Sequence, residues 1–437
     1  MRFRLGGNPL EDQSSGYEDE GSNLFMRVFR GIDWASDHHD VALVDTDGKL
    51  LAKARIGDDV AGFNQLISLL AEHGDTPRDP VPLAIETSRG LLVANLRATG
   101  RPVYAINPMA AARYRERGAV SRKKSDHLDA MTLAGILRTD RALHRTLPAD
   151  TEFAKAIAIL ARAQQDAVWD RTQAGNKLRS HLREYYPGFL AAFATSDQYS
   201  SPVARTILAA APVPAAGVKL TIAQLRSLLT RAGRQRGIEA EAQRIKQALR
   251  AEQLRQPQLV EAAMGEKTKA LLSQFEAACR AADDLEAAAV ESFRQHPDAE
   301  VITSLPGLGM LLGARLLGEI GDDPERFADA RGLRAFAGAA PITRASGKTL
   351  SITRRRVKND RLAATGYSWA FSALTALPGA KALYQRCRDA GRYHAAGLRR
   401  LFNKLLGSLY HCLKTRTLYD ENTAFPSTTP ATLQLAA

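Results

Sequence analysis

Residues 121–130 read Ser121-Arg122-Lys123-Lys124-Ser125-Asp126-His127-Leu128-Asp129-Ala130, three consecutive cations running into a helix start with two aspartates three residues apart. Positions i and i+3 lie on one helix face, so both carboxylates can address one point. Ser125 suits an N-cap, and apolar spacing continues through Leu128, Met131, Leu133 and Leu137. Two carboxylates at a helix start beside a basic run make sense where a divalent metal and a phosphate share a site. A helix-dipole arrangement with a solvated Arg-Lys-Lys run explains the decapeptide equally well by itself. The residues upstream weigh between the two.

Upstream, two more acids end predicted strands. Met26 to Asp33 reads as a strand that closes on its acid, and Asp40–Asp45 and Lys49–Ile56 flank Asp47-Gly48, a hairpin signal. A helix over 59–72 follows, then a short buried strand Val81-Pro-Leu-Ala-Ile-Glu86, again ending on an acid. Next come a helix near 89–99, a strand Pro102–Ile106, a helix with Pro108 at its first position, and the Asp126 helix, which closes near residue 140. Three strands in a meander, then helix, strand, helix, strand and helix is the order of an RNase H-like fold. Strand ends on one edge of such a sheet converge. Asp33, Glu86, Asp126 and Asp129 are therefore expected to meet in one metal site, although isolated acids at strand ends are commonly structural.

Size and charge bound the rest. At 437 residues the chain is too long for one ordinary core. Its 45% hydrophobic and 24% charged content is that of a soluble globular protein, with no apolar run of membrane-spanning length and no signal-peptide core. Cys279, Cys387 and Cys412 are too widely spaced for a disulfide framework or a zinc pattern, so a reducing cytoplasm is the expected location. Residues 1–25 hold two arginines against five acids, so the net charge of +13 becomes +16 over residues 26–437. That excess points to a polyanionic partner, most often nucleic acid. Residues 1–25 themselves are polar and acidic and read as a disordered extension.

Beyond residue 145 the chain reads as helical. One long helix begins at Asp150 or Thr151 and stops before Pro187, carrying Arg162, Arg171, Lys177, Arg179 and Arg183. Residues 187–218 read as a loop-containing joint, followed by helices near 221–256 and 258–295. In the second, Leu271, Phe275, Ala278, Ala282, Leu285 and Ala289 keep a 4-3 spacing, open to an antiparallel hairpin, a dimer contact or an ordinary amphipathic helix. From 297 the composition turns to Gly-rich turns among helices. Leu305-Pro-Gly307-Leu-Gly309-Met, before an apolar helix Leu311–Ile320, resembles a helix-hairpin-helix turn whose amides can hold a phosphate, although it also fits a simple turn. Gly338-Ala-Ala-Pro341-Ile-Thr-Arg344-Ala-Ser346-Gly347-Lys348 reads as a glycine-bounded loop with one serine among cations, and Arg354-Arg355-Arg356-Val-Lys358 follows. No His/Asp pair lies near Ser346 in sequence, so residue types alone suggest a serine that contacts phosphate. Two basic-faced helices run to about Tyr419, and a Thr/Pro/Ala tail covers 421–437.

Taken together, Gly-Ile-Asp33-Trp-Ala-Ser, Ala-Ile-Glu86-Thr-Ser, Lys-Ser-Asp126-His-Leu-Asp129-Ala, Pro-Gly-x-Gly and Gly-x-x-Pro341-x-x-x-x-Ser346-Gly resemble the DEDD insertion-sequence transposases over roughly residues 26–419. The resemblance implies a RuvC-like N-terminal domain (26–145), a helical or coiled-coil insert (146–296) and a C-terminal transposase domain (297–420). It implies that Asp33, Glu86, Asp126 and Asp129 bind Mg²⁺ or Mn²⁺, and that Ser346 is a nucleophile forming a covalent 5′-phosphoserine link. Donor and target DNA, an element-encoded guide RNA and a homo-oligomer are the implied partners, with no membrane. Arg122, Lys123, Lys124, Gly307, Gly309, Arg344, Lys348, Arg354, Arg355, Arg356 and Lys358 are the candidate nucleic-acid contacts. The alternatives are a RuvC-like endonuclease that activates water, and a non-catalytic nucleic-acid-binding protein.

Overall fold

The computed structural model describes residues 28–118, 126–347 and 349–426. The expected extension 1–25, the cap at Ser125, the cations Arg122, Lys123, Lys124 and Lys348, and the side chain of Asp126 lie outside the described residues. The chain forms two compact units that divide between Leu147 and Pro148.

The first unit contains β1 (Phe29–Trp34), β2 (His38–Val44), β3 (Leu50–Gly57), α1 (Val60–Glu72), β4 (Leu83–Ile85), α2 (Leu91–Ala98), β5 (Val103–Ala105), α3 (Pro108–Gly118) and α4 (Asp126–Asp140). The sheet order is β3-β2-β1-β4-β5, with β1–β3 an antiparallel meander and β4 and β5 parallel to β1. This mixed sheet is compatible with an RNase H-like unit. Side-chain alternation splits the apolar residues between two faces. Ile32, Val41, Leu43, Leu83 and Ile85 pack with Leu66, Leu70, Leu92 and Leu96 on the α1/α2 side. Ala84, Tyr104 and Ile106 pack with Ala111, Leu133, Ile136 and Leu137 on the α3/α4 side.

Gly31 fixes how close α4 comes. A Cβ there would lie 2.1 Å from the Ala130 carbonyl oxygen, 2.5 Å from the Ala134 nitrogen and 2.9 Å from Leu133 Cβ. Helix backbone therefore rests almost directly on strand backbone. The helix runs back along β1, because Arg138 near its far end donates Nη1–H to the Thr46 carbonyl at 3.1 Å, in the β2–β3 turn beyond the opposite end of the strand.

The second unit opens with α5 (Glu152–Arg183), capped by Thr151, whose hydroxyl accepts from Ala154 N at 3.1 Å. Four short helices follow, α6 (Pro187–Ala192), α7 (Ser196–Ser200), α8 (Pro202–Ala210) and α9 (Pro214–Lys219), where a loop-containing joint was expected. Ser/Thr caps and first-turn prolines start a new helix every few residues there. The helical stretch expected near 221–256 consists of α10 (Ile222–Arg231) and α11 (Ile238–Arg250), separated at Gly233 and Gly237, both with positive φ. Then come α12 (Gln258–Arg294), α13 (Ala299–Thr303), α14 (Met310–Ile320), α15 (Ala330–Phe336), β6 (Ile342–Ser346), β7 (Thr349–Thr353), α16 (Asp360–Ala376), α17 (Pro378–Asp389), α18 (His394–Thr415) and a final turn α19 (Glu421–Ala424).

The 4-3 seam of α12 is an antiparallel pairing with α5. His181 Nε2 meets the Met264 carbonyl at 2.9 Å, Gly175 backs onto Phe275, and Gln164 reaches Glu286. Its buried line runs through Leu272, Phe275, Cys279, Ala282, Ala289 and Phe293, so Leu272 and Cys279 take the places expected for Leu271 and Ala278. Around one end of this pair α6–α11 build a core on Leu178, Tyr186, Ile207, Leu225 and Ile245. Around the other end α13–α18 build a second core on Ile302, Leu317, Trp369, Leu401 and Leu405.

Replacing Gly31 with Ala should destabilise the first unit by at least about 1–3 kcal/mol, the usual cost of overpacking, since both near neighbours are backbone atoms that cannot rotate away. A denaturant midpoint unchanged in Gly31→Ala would contradict the packing described for α4.

Candidate functional site

Two acids lie side by side where parallel strands end. β1 and β4 pair in parallel up to the register Ile32↔Ile85, and Asp33 and Glu86 are the residues that follow this last pair. Both are half-buried. Asp33 shares a face with Gly31, two residues before it, and that is the face α4 covers. Because α4 runs against β1, its first turns, with Asp129, extend towards the Asp33 end of the strand. The backbone of Asp126 starts the same helix one turn earlier.

Asp129 is 5% exposed, and its Oδ1 lies 2.7 Å from Arg115 Nε of α3. That approach is off the N–H direction, so among the described residues Oδ1 receives charge compensation but no hydrogen bond. His127 Nε2 on the same turn is buried without a partner among the described residues. Asp40 stands opposite Asp33 on β2, but Arg55 grips it with contacts of 3.2 and 2.9 Å. Arg115 and Asp40 border the acids without having been singled out in the sequence. The hairpin register around Asp47-Gly48 could have revealed Asp40, whereas Arg115 carries no local signal.

The donor set fits a hard divalent cation. Such ions take carboxylate oxygens, and the buried Asp129 Oδ1 lacks a donor among the described residues. Among the described side chains no three acid, histidine or cysteine groups form a closed metal cluster, and Asp126 is not among those side chains.

The stretch expected as a loop around Ser346 is a two-stranded ribbon. β6 and β7 pair in the register Ile342↔Thr353 to Ser346↔Thr349, and the turn enters through Gly347 at φ +55°. Turn-forming Gly338, Pro341 and Gly347 mask its alternation in the sequence. Ser346 is thus the last strand residue before the turn, and it is exposed. Arg344, Ser346, Thr349 and Ser351 share one face, whereas Leu350 and Ile352 lie on the other, 66% and 67% exposed.

The candidate phosphate contacts sort by exposure. Arg344, Arg354 and Arg356 are exposed. Arg355 is half-buried, its Nε shut from solvent without a partner among the described residues. Lys358 instead bonds Asp360 and lies across Gly338. Gly307, at φ +83°, leaves room for the α16 backbone, since a Cβ would fall 2.8 Å from Ala373 N. Gly309, just before α14, faces open space and has no side-chain cap.

Arg162 of α5 and Arg361 of α16 are held in ion pairs within the second unit. Arg162 bonds Glu319 at 2.7 and 3.1 Å, and that hydrogen bonding holds its guanidinium above the usual value. Asn359 Nδ2 donates to the same carboxylate at 2.6 Å. Arg361 grips Asp166 at 2.7 and 2.9 Å and lies 5.0 Å over the Trp169 ring. No described helix is long and apolar enough to cross a membrane.

Comparison with known proteins adds a lineage to this geometry. Residues 30–187 match a DEDD-type family model described as transposase, and residues 299–385 match the model described as transposase IS116/IS110/IS902 family. The chain is 58% identical over 401 residues, 92% of its own length and 97% of the relative's, to the Streptomyces coelicolor protein named "Mini-circle putative transposase for IS117". It is 29% identical, over 92% of its length and 98% of the relative's, to the IS900 42 kDa protein of Mycobacterium paratuberculosis. It is also 29% identical, over 90% and 96% of the respective chains, to the IS116 44.8 kDa protein of Streptomyces clavuligerus.

If the acids bind metal, Mn²⁺ binding followed by electron paramagnetic resonance should weaken at least about tenfold in Asp33→Asn and in Glu86→Gln, since even second-shell changes cost that much. Equal affinity in wild type and both variants would remove the carboxylates from the ligand set.

Proposed function

The chain belongs to the IS116/IS110/IS902 transposase family and is therefore an enzyme of DNA transposition, and from that premise we propose that it cuts and rejoins DNA through a covalent bond to Ser346. The observation that carries this reading is the position of Ser346, at the exposed tip of a ribbon with Arg344 on the same face and Arg354 and Arg356 close in sequence. Guanidiniums there suit the charge of a phosphate under attack.

In the proposed step Ser346 Oγ attacks phosphorus. The Oγ–P bond forms, the bond from phosphorus to the 3′ oxygen breaks, and the serine proton ends on the released 3′ hydroxyl. A 3′ hydroxyl from another strand then attacks the phosphoserine, restores a phosphodiester and returns the proton to Oγ, so no ATP is needed. Asp33, Glu86, Asp126 and Asp129 would hold the divalent ion in an RNase H-like, RuvC-like unit. When bound, Mg²⁺ or Mn²⁺ would neutralise phosphate charge and ease loss of the serine proton. The charge of +16 outside residues 1–25 supports long nucleic-acid contacts. The same reading includes an element-encoded guide RNA that chooses the target by base pairing, and a homo-oligomer.

Ser346→Ala should abolish strand cleavage and the covalent protein–DNA adduct on labelled substrates, while melting temperature and DNA binding stay near wild type. An exposed substitution of this kind changes stability by only about 0.5 kcal/mol. Retained cleavage with free, unlinked ends would make water the nucleophile and the protein a metal-dependent nuclease.

Arg354 and Arg356 generate a second expectation. Replacing both with Ala should flatten the slope of log affinity against log salt on duplex DNA by up to about 1.8, at about 0.9 per phosphate contact. An unchanged slope would place both side chains off the DNA.

A further inference from the structure

The helical region of the second unit holds an arginine-lined cleft that the proposed chemistry does not use. It lies between α5, α7, α8 and α12 and encloses about 310 Å³, at the lower end of the range of ligand sites. Arg171 and Arg179 approach from α5 and Arg205 from α8, with Tyr199, Cys279 and Asp283 also lining it. Burial holds the Cys279 thiol above its usual value, against the pull of Arg205 and Arg171, so both guanidiniums are within electrostatic reach of that wall.

These cations are poorly satisfied. Asp283 is the one carboxylate lining the cleft among the described residues. It is largely exposed and lies 3.7 Å from Arg171, beyond hydrogen-bonding distance. Glu276 adds a second negative charge near Cys279 without lining the cleft. Arg179 gives Nη2–H to the Ala194 carbonyl at 3.2 Å and lies 6.0 Å from the Tyr199 ring centre, yet its Nε is shut from solvent without a partner among the described residues. Arg205 is half-buried, its Nε is likewise closed off, and it has no ion-pair partner among the described residues. Three guanidiniums lining one space repel each other unless an anion arrives. A tetrahedral anion offsets that repulsion, and guanidinium forks from two helices suit its oxygens.

We propose that the cleft framed by Arg171, Arg179 and Arg205 binds a backbone phosphate of a nucleic-acid strand. The inference rests on the reading that this chain works on nucleic acid, and it adds a contact far in sequence from the acids and from Ser346.

The test is the affinity of the full chain for RNA and for DNA oligonucleotides, measured against salt in chelator so that no strand is cut. Arg205→Ala should weaken binding about tenfold or more, the loss expected for a hydrogen bond to a charged group. The salt slope should fall by about 0.9 for duplex or about 0.7 for single strands. Asp283→Asn, which removes the competing carboxylate from an exposed position, should tighten binding, a change that a purely structural role would not produce. Arg231→Ala, exposed at the end of α10 and outside the cleft, is the control. If Arg205→Ala does not fold, Arg205→Lys and Asp283→Asn carry the test. Whichever of RNA and DNA responds supplies the phosphate. Wild-type binding together with variants indistinguishable from Arg231→Ala overturns the cleft alone. A wild-type chain with no affinity for either polymer overturns the underlying reading as well.

Discussion

Everything proposed for the acidic edge depends on one backbone contact, the seating of α4 on β1 at Gly31. The absent Cβ lets Ala130 and Ala134 come against the strand, and the antiparallel run of the helix then carries Asp129 towards Asp33. β4, paired in parallel with β1, ends at Ile85 opposite Ile32, so Glu86 and Asp33 each follow the last paired position. One helix start and two strand ends thus carry the acids proposed as metal ligands. The buried carboxylate of Asp129 is tolerated because Arg115 supplies opposite charge at 2.7 Å.

The second unit depends on a different device. α5 and α12 form a long antiparallel pair that contributes to two separate cores, one with α6–α11 and one with α13–α18. Polar residues lock the latter end. Glu319 on α14 binds Arg162 of α5 and Asn359 at the start of α16, while Arg361 returns to Asp166 and Trp169 of α5. Removing one member of such a network strands a partly buried charge, so these residues serve architecture first. The ribbon with Ser346 leaves this framework between α15 and α16 and exposes both faces.

Much of the first unit was legible because its signals are local. Period-two alternation, Asp47-Gly48, Pro108 at a helix start and acids at strand ends are all read from neighbouring residues. What escaped depends on partners distant in sequence. The seam of α12 was read one residue off at Leu271 and Ala278, because alanine makes adjacent stripes nearly equal in apolarity and only contact with α5 selects Leu272 and Cys279. The ribbon resembles a loop in the sequence, since exposed strands rich in Thr, Ser and Arg bury nothing that would mark their period. Charge counting overstated the free cations, because Arg162 and Arg361 are paired internally and Lys358 is held by Asp360. The Arg205 cleft left no trace in the sequence, since its three arginines are spread over 35 positions on two helices.

The central claim is that a serine on this ribbon, rather than water, breaks the DNA strand. Trapping the wild-type protein on a labelled substrate, digesting the complex and mapping the modified peptide by mass spectrometry tests it most directly. The account predicts a nucleotide joined through its 5′ phosphate to Ser346. A link to any other residue, or full cleavage that leaves only free 5′ phosphates and no linked peptide, would contradict it.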